Sequence, residues 1–172
     1  KQRKAYEEME KTQMLLITAK TPTNIANALH GKPATDFHVV SAINAAVVAN
    51  RLLQMASGAT YESPSKYHVI DDGRYKMVLD LAEERQHSLV FFHWKHQRDL
   101  LVAEAETRGL TFCVLDGETP AREREEMVEA YQAGVYRIMF AHPKSAAHGL
   151  TLTKGTATIW ASPTYGLELF EQ

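Results

Sequence analysis

Three short apolar runs set close together constrain this chain more than anything else in it: Ser88-Leu89-Val90-Phe91-Phe92-His93, Thr111-Phe112-Cys113-Val114-Leu115 and Tyr136-Arg137-Ile138-Met139-Phe140-Ala141. The stretches between them are polar, carry helix-like patterning and close at Arg108-Gly109 and at Gly134. Short β-rich runs alternating with helices of about 12 to 15 residues mark β-α-β units, because parallel strands need a crossover between them. A strand that is apolar at nearly every position, as from Leu89 to Phe92, belongs where both faces are covered. A fourth run, Thr158 to Ala161, extends the set. The expectation is an α/β chain built on a mainly parallel sheet.

Composition narrows the class. A length of 172 residues gives room for a full core, and the 45% hydrophobic and 23% charged fractions are ordinary for a globular chain. A formal charge of −2 makes no case for a globally basic nucleic-acid binder, although a local patch is enough for one. The single cysteine, Cys113, excludes a disulfide framework and favours a reduced setting. No stretch approaches the roughly 18 apolar residues of a membrane span, so no membrane is expected and the location reads as cytoplasmic. The chain starts without Met and stops at Phe170-Glu171-Gln172 in what reads as a first helical turn, as a piece of something longer does.

Taken in order, residues 1–70 read as a helical appendage with a flexible loop near 21–37, and residues 71–172 as the α/β lobe. Residues 1 to 19 are expected to form one helix, and residues 42 to 56 a second, with Ser57-Gly58 as its stop. Tyr61 to Tyr67 reads as a turn around Pro64. Asp71-Asp72 is placed to cap a helix running to Glu84 whose inner face carries Met77, Val78 and Leu81. Leu100, Leu101, Ala103 and Ala105 are assigned to the inner side of the helix after Lys95. Thr119 reads as N-cap of the next, with Pro120 at its first position and Met127, Val128 and Tyr131 facing inward.

In open α/β sheets the ligand site lies beyond the carboxyl ends of the strands. His93 to Arg98, Asp116 to Arg124, His142 to Leu152 and Ser162 to Gly166 therefore matter most. None holds a G-x-x-x-x-G-K-[ST] loop or a G-x-G-x-x-G fingerprint, which argues against a self-contained nucleotide hydrolase.

The order of these segments resembles the second RecA-like lobe of superfamily 2 helicases, and most closely the Swi/Snf-type DNA-dependent ATPases. The apolar strand into Phe91-Phe92-His93-Trp94 is similar to motif IV of that family. Asp116, Gly117 and Arg124, with Arg122 as the alternative match, resemble its D-G-x-x-x-x-x-x-R segment. Ser145, Gly149, Leu150 and Leu152 resemble motif V, and Ile159-Trp160-Ala161-Ser162-Pro163 loosely matches the turn that follows. The likeness covers about residues 45 to 172, and departs from the family at Thr151, where Asn is usual, and at His148, where a second glycine is common.

What the resemblance implies is a RecA-like three-layer α/β/α lobe, cut before its last strand, that acts as half of a two-lobe clamp on ATP and DNA. The first RecA-like lobe of the same chain would bring the P-loop lysine and the residues for Mg, so this piece alone would be catalytically silent, with no catalytic or metal-binding residue of its own. Gly149, Leu150 and Gln172 are assigned to the ATP cleft, and Lys95, Arg122, Lys144, Ser145 and His148 to DNA. Arginines after Gln172 would reach the phosphates. A compact lobe of this kind points to a bacterial or phage source.

Blander roles stand beside each assignment. His93, His96, His142 and His148 lack Cys partners and ligand spacing, and read as structural or solvated histidines. Asp116-Gly117 is otherwise a plain turn, Ser145 a helix cap, and Arg122 and Arg124 part of a solvated charged face. Trp94 either stacks on a base or packs in the core, and Lys144 either contacts a phosphate or does nothing. A non-hydrolytic RecA-like nucleic-acid-binding or protein-interaction module is the main rival. A nucleotide-sugar transferase would need a donor-binding carboxylate and a complete pocket that the sequence does not display.

Overall fold

The computed structural model describes residues 2–12, 14–18, 37–41, 45–146 and 150–162. Two compact units divide the chain, Lys1–Asp71 and Asp72–Gln172.

The first unit contains helix α1 (Gln2–Thr12), strands β1 (Met14–Thr18) and β2 (Phe37–Ser41), helix α2 (Ala45–Ala56), and strands β3 (Ala59–Ser63) and β4 (Lys66–Val69). β1 pairs antiparallel with β2, and β3 with β4. Met9 of α1 and Met55 of α2 are fully buried together, with Ala5, Leu52 and Ile70 packed on them. The Gln2 side chain donates to the carbonyls of Met55 and Ala56 at 2.7 and 2.8 Å, satisfying acceptors that the end of α2 would leave open. Gly58, at φ +103°, turns the chain from α2 into β3.

A helical appendage is therefore an incomplete description of this unit. The run Met14-Leu-Leu-Ile-Thr18 leaves the first helix as a strand, because a strand partner outweighs helix continuation for β-branched and apolar residues. The expected turn around Pro64 is the tip of a hairpin whose first arm is buried from Ala59 to Tyr61 and whose second is exposed at Lys66 and Val69. The loop expected near 21–37 falls almost wholly outside the described residues, as does Ile43.

The second unit contains α3 (Gly73–Glu83), β5 (Ser88–Phe91), α4 (Lys95–Thr107), β6 (Phe112–Leu115), α5 (Ala121–Gln132), β7 (Ile138–Ala141), the short α6 (Pro143–Ala146) and β8 (Ala157–Trp160). Its sheet has the order β6-β7-β5-β8, and every pairing is parallel. Alternate residues of each strand supply two cores. Val90, Phe92, Ile138 and Phe140 face α3 and α4, against Tyr75, Val78, Leu79, Ala82, Leu101 and Ala105. Cys113, Leu115, Met139 and Ala141 face α5 and pack on Tyr131, Met127 and Val128. This is the expected three-layer α/β/α arrangement.

Helix phases differ from expectation in three places. α3 turns Tyr75, Val78, Leu79 and Ala82 inward, a continuous stripe at i, i+3, i+4 and i+7, and leaves Met77 and Leu81 at 64% and 43% exposure. Of the apolar residues assigned to the inner side of α4, Leu101 and Ala105 are buried, while Ala103 is exposed. Pro120, not Thr119, sits at the N-cap position of α5, because the Thr119 hydroxyl is committed to the loop before it. Asp72 does occupy the N-cap of α3, but its carboxylate pairs with Lys76 at 3.1 Å and makes no capping bond. Gly109 and Gly134, at φ +65° and +82°, close α4 and α5 in a left-handed conformation that suits glycine.

Phe140 lies at the centre of the sheet at 0% exposure, its ring 5.5 Å from that of Phe112. Phe140→Ala is expected to cost about 3–5 kcal/mol, read as a lower urea midpoint in equilibrium unfolding followed by circular dichroism. An unchanged midpoint contradicts this packing.

Candidate functional site

The strand order places a crevice between β5 and β7. From β5 the chain runs through α4 to β6 at one edge, and from β7 it runs past β5 to β8 on the other side. Residues of α4 join the core on one face of the sheet, while Leu150 and Leu152 of the β7–β8 connection join the core on the other. Connections that part in this way leave the carboxyl ends of two adjacent strands uncovered, the usual ligand position in open parallel sheets.

A cavity of about 360 Å³ occupies that place, lined by Phe92, His93, Trp94, Lys95, Arg98, Asp116, Gly117, Glu118, His142, Lys144 and Ser145. These residues come from the ends of β5, β6 and β7 and from the helices that follow them. Sequence assignments made on three separate segments thus converge on one pocket.

Gln97 shapes the β5 side. It is fully buried, and its side-chain oxygen accepts from the His93 and Trp94 amides at 2.7 and 3.2 Å and from the Ser162 hydroxyl at 3.4 Å. Reaching back from the first turn of α4, it fixes the chain as it leaves β5. Arg98 binds the next loop, donating to Asp116 Oδ2 at 2.8 Å and to Asp99 at 2.9 Å. Asp116 in turn accepts from the Glu118 amide at 2.9 Å, while its own amide donates to the Thr119 hydroxyl. Burial works against the Asp116 charge, but Arg98, the Glu118 amide and Thr119 outweigh it and hold the carboxyl below its usual range. Arg98 is stabilised as a cation, chiefly by the bond to Asp116 and against the cost of its own burial.

His93 and His142 meet at the centre. Their rings stack with centroids 5.7 Å apart and an interplanar angle of 23°. Trp94 packs its ring edge-on to His93 and stacks on the buried His96, and Phe92 contacts His142 edge-on. Burial lowers the affinity of both pocket imidazoles for a proton. Lys144 adds to the effect on His93, and His93 and Lys144 add to it on His142. His93 Nδ1 is buried with no hydrogen-bond partner among the described residues.

The other assigned residues divide. Lys95 lies at the pocket mouth in an exposed pair with Glu118 at 3.1 Å. Lys144 forms no ion pair among the described residues. Ser145 is buried in α6, where its carbonyl accepts from Arg124 at 3.2 Å. Arg124 thereby ties α5 to the start of the motif V segment. Arg122 lies away from the pocket on the exposed face of α5, paired with Glu126 at 3.0 Å. Leu150 packs in the core on the α5 face. Gly149, His148 and Gln172 lie outside the described residues, as does Pro163.

Sequence reasoning did not single out Gln97, Glu118 or Gln132. Gln132 donates to the Thr151 carbonyl at 2.8 Å and the Thr153 hydroxyl at 3.0 Å, and accepts from the Lys154 amide at 2.8 Å, so the last turn of α5 holds the descending arm of the β7–β8 connection. Gln at the third position of α4 was a signal that could have found Gln97. A shallower groove of about 520 Å³ runs between α4 and α5 beside β6. Its Asp99, Glu106 and Glu123 make it a poor seat for phosphate. Among the described residues no group of His, Cys, Asp and Glu converges as a metal site, and no helix is long and apolar enough to cross a membrane.

Residues 73–172 match the helicase conserved C-terminal domain family. The chain is 29% identical over 137 residues, 77% of its length, to protein p41 of Acyrthosiphon pisum secondary endosymbiont phage 1, and spans 28% of that protein. Over 71 residues, 38% of the chain, it is 35% identical to the SWI/SNF-related matrix-associated actin-dependent regulator of chromatin subfamily A member 1 of Homo sapiens, of which it spans 7%. In fold it is similar to the crystal structure of the C-terminal part of the Fun30 ATPase domain, with a TM-score of 0.52 at 18% identity, covering 58% of this chain and 34% of that one.

Because His93 and His142 take protons less readily folded than unfolded, their contribution to stability is complete above about pH 6.5 and is lost as pH falls below it. Asp116 behaves likewise in a lower window, beginning near pH 4. Urea midpoints are expected to drop between about pH 7.5 and pH 5.5, and a His93→Asn, His142→Asn double substitution to shrink that drop. A drop of equal size in the double variant contradicts the assignment.

Proposed function

Since the chain belongs to the helicase conserved C-terminal domain family, we propose that it is the second RecA-like lobe of a Swi/Snf-type superfamily 2 helicase and the DNA-contacting half of an ATP-driven translocase. The observation that carries this reading is the convergence of the three strand-end loops on one pocket whose unmatched charge is Lys144. DNA supplies a track of phosphates at fixed spacing, and such a track needs donors held at fixed places on the lobe. Lys144 is the direct contact. Lys95 joins it by exchanging its exposed partner Glu118 for a phosphate, an inexpensive exchange because exposed ion pairs contribute little. The first turn of α4 presents the amide-rich end of a 13-residue helix to the same pocket, where anions are favoured.

Arg98 and Asp116 keep the β6 loop in place while Lys95 and Glu118 separate. Arg124 and Gln132 hold both arms of the β7–β8 connection to α5. The described ends of that connection, at Ser145 and Thr151, therefore go with α5 when the lobe shifts. ATP with Mg supplies the free energy for that shift when bound at the first lobe. The part assigned to this chain is to close on that site through Gly149 and Gln172, both beyond the described residues.

In the full-length protein, ATP hydrolysis is expected to rise on adding duplex DNA. Lys144→Ala is expected to raise the DNA Kd about tenfold, the cost of losing one charge-assisted bond, and to flatten the slope of log K against log salt by about 0.9. ATP hydrolysis indifferent to DNA would contradict the DNA motor, and DNA binding without any ATP hydrolysis would favour a non-hydrolytic binding module.

A further inference from the structure

We propose that the His93–His142 stack makes anion uptake at this pocket proton-linked: seating a phosphodiester beside Lys144 places one proton on the imidazole pair. The inference rests on the DNA reading above and specifies how the same pocket meets the charge of its ligand.

The pair stands at the uncovered ends of β5 and β7, where a ligand enters, and its rings are 5.7 Å apart at 23°. The charged groups lining the same cavity are Lys95 and Arg98 of α4, Asp116 and Glu118 of the β6–α5 loop, and Lys144 of α6. Lys95 pairs with Glu118 at 3.1 Å and Arg98 with Asp116 at 2.8 Å, leaving Lys144 as the one charge of the lining without an ion-pair partner among the described residues. With a cation already present and no acid committed to either ring, these surroundings favour the neutral form of both imidazoles. Burial lowers their proton affinity in the same direction, and on His142 the pull of Asp116 and the bond to the His93 backbone are the lesser, opposing effects. His93 Nδ1 has no acceptor among the described residues to support a proton.

An incoming phosphate changes this balance. Its charge offsets Lys144, and its oxygens supply the acceptors that an imidazolium needs. One ring can then take a proton from solvent, while stacking against its neighbour opposes a second. Net uptake of one proton on binding makes affinity rise as pH falls, by at most about tenfold per pH unit.

The test uses the full-length protein and a fluorescein-labelled DNA duplex, with anisotropy titrations at constant ionic strength between about pH 8 and pH 6. Affinity should rise about tenfold or more across that range, and His93→Asn, His142→Asn should cut the rise to about twofold or less. Imidazole Cε1 proton shifts of the unsubstituted protein provide a readout independent of variant folding. Without DNA the His93 and His142 signals should titrate below the usual histidine range, and saturating DNA should move one of them upward. Binding with no pH dependence beyond that of the double variant, or imidazole titrations unmoved by DNA, overturns the proton link and leaves the DNA reading standing. Absence of binding at every pH overturns both.

Discussion

The parallel pairing of β5 with β7, register Ser88 to Ile138 through Phe91 to Ala141, is the constraint on which the rest of the second unit depends. Neighbouring parallel strands end on the same edge, so the residues that follow Phe91 and Ala141 must emerge side by side. Their connections leave in opposite directions, one to β6 and one to β8, and pack into the cores on opposite faces of the sheet. The pocket, the stacked histidines and the position of Lys144 all follow from that geometry. Chemistry at the site is thus a consequence of strand order before it is a consequence of any single side chain.

Apolar burial sets the sheet, and a small number of polar side chains set the loops. The strand interiors give Ile138, Met139, Phe140 and Ala141 no exposed surface at all, which leaves β7 little freedom to shift its register. Around the pocket the work passes to Gln97, Arg98 and Arg124, and at the last turn of α5 to Gln132, each of which binds a backbone carbonyl, an amide or a carboxylate of a neighbouring loop. An arginine or glutamine with several donors can hold a loop whose backbone has no ladder partner of its own. The lobe therefore combines a rigid platform with loops fixed at named points, as a part that must move whole against a partner requires.

Much of this was legible in the chain. The runs Leu89 to Phe92, Phe112 to Leu115 and Ile138 to Ala141 announced buried parallel strands, because they are apolar on both alternating faces, and glycines after α4 and α5 marked their ends. Motif order drew attention to His93, Asp116, Lys144 and Ser145, which the fold gathers into one cavity. Strands β1 to β4 were not legible, because short amphipathic runs such as Lys66-Tyr-His-Val69 become strands only through a partner. The phase of α3 was misread because Met77 and Leu81 make as plausible an apolar pair as Tyr75 and Leu79, and only the position of the sheet decides between them. The His93–His142 stack could not be read at all, since 49 positions separate the two residues and only strand adjacency brings their rings together.

The account turns on one surface of the lobe meeting the DNA backbone. Backbone amide shifts of the isotope-labelled protein, recorded while a short duplex is added, test this most directly. The expected changes cluster at His93 to Lys95, Asp116 to Glu118 and Lys144 to Ser145, the three loops at the carboxyl edge of the sheet. Changes confined to the exposed face of α5 around Arg122, or to the amino-terminal ends of the strands, contradict it.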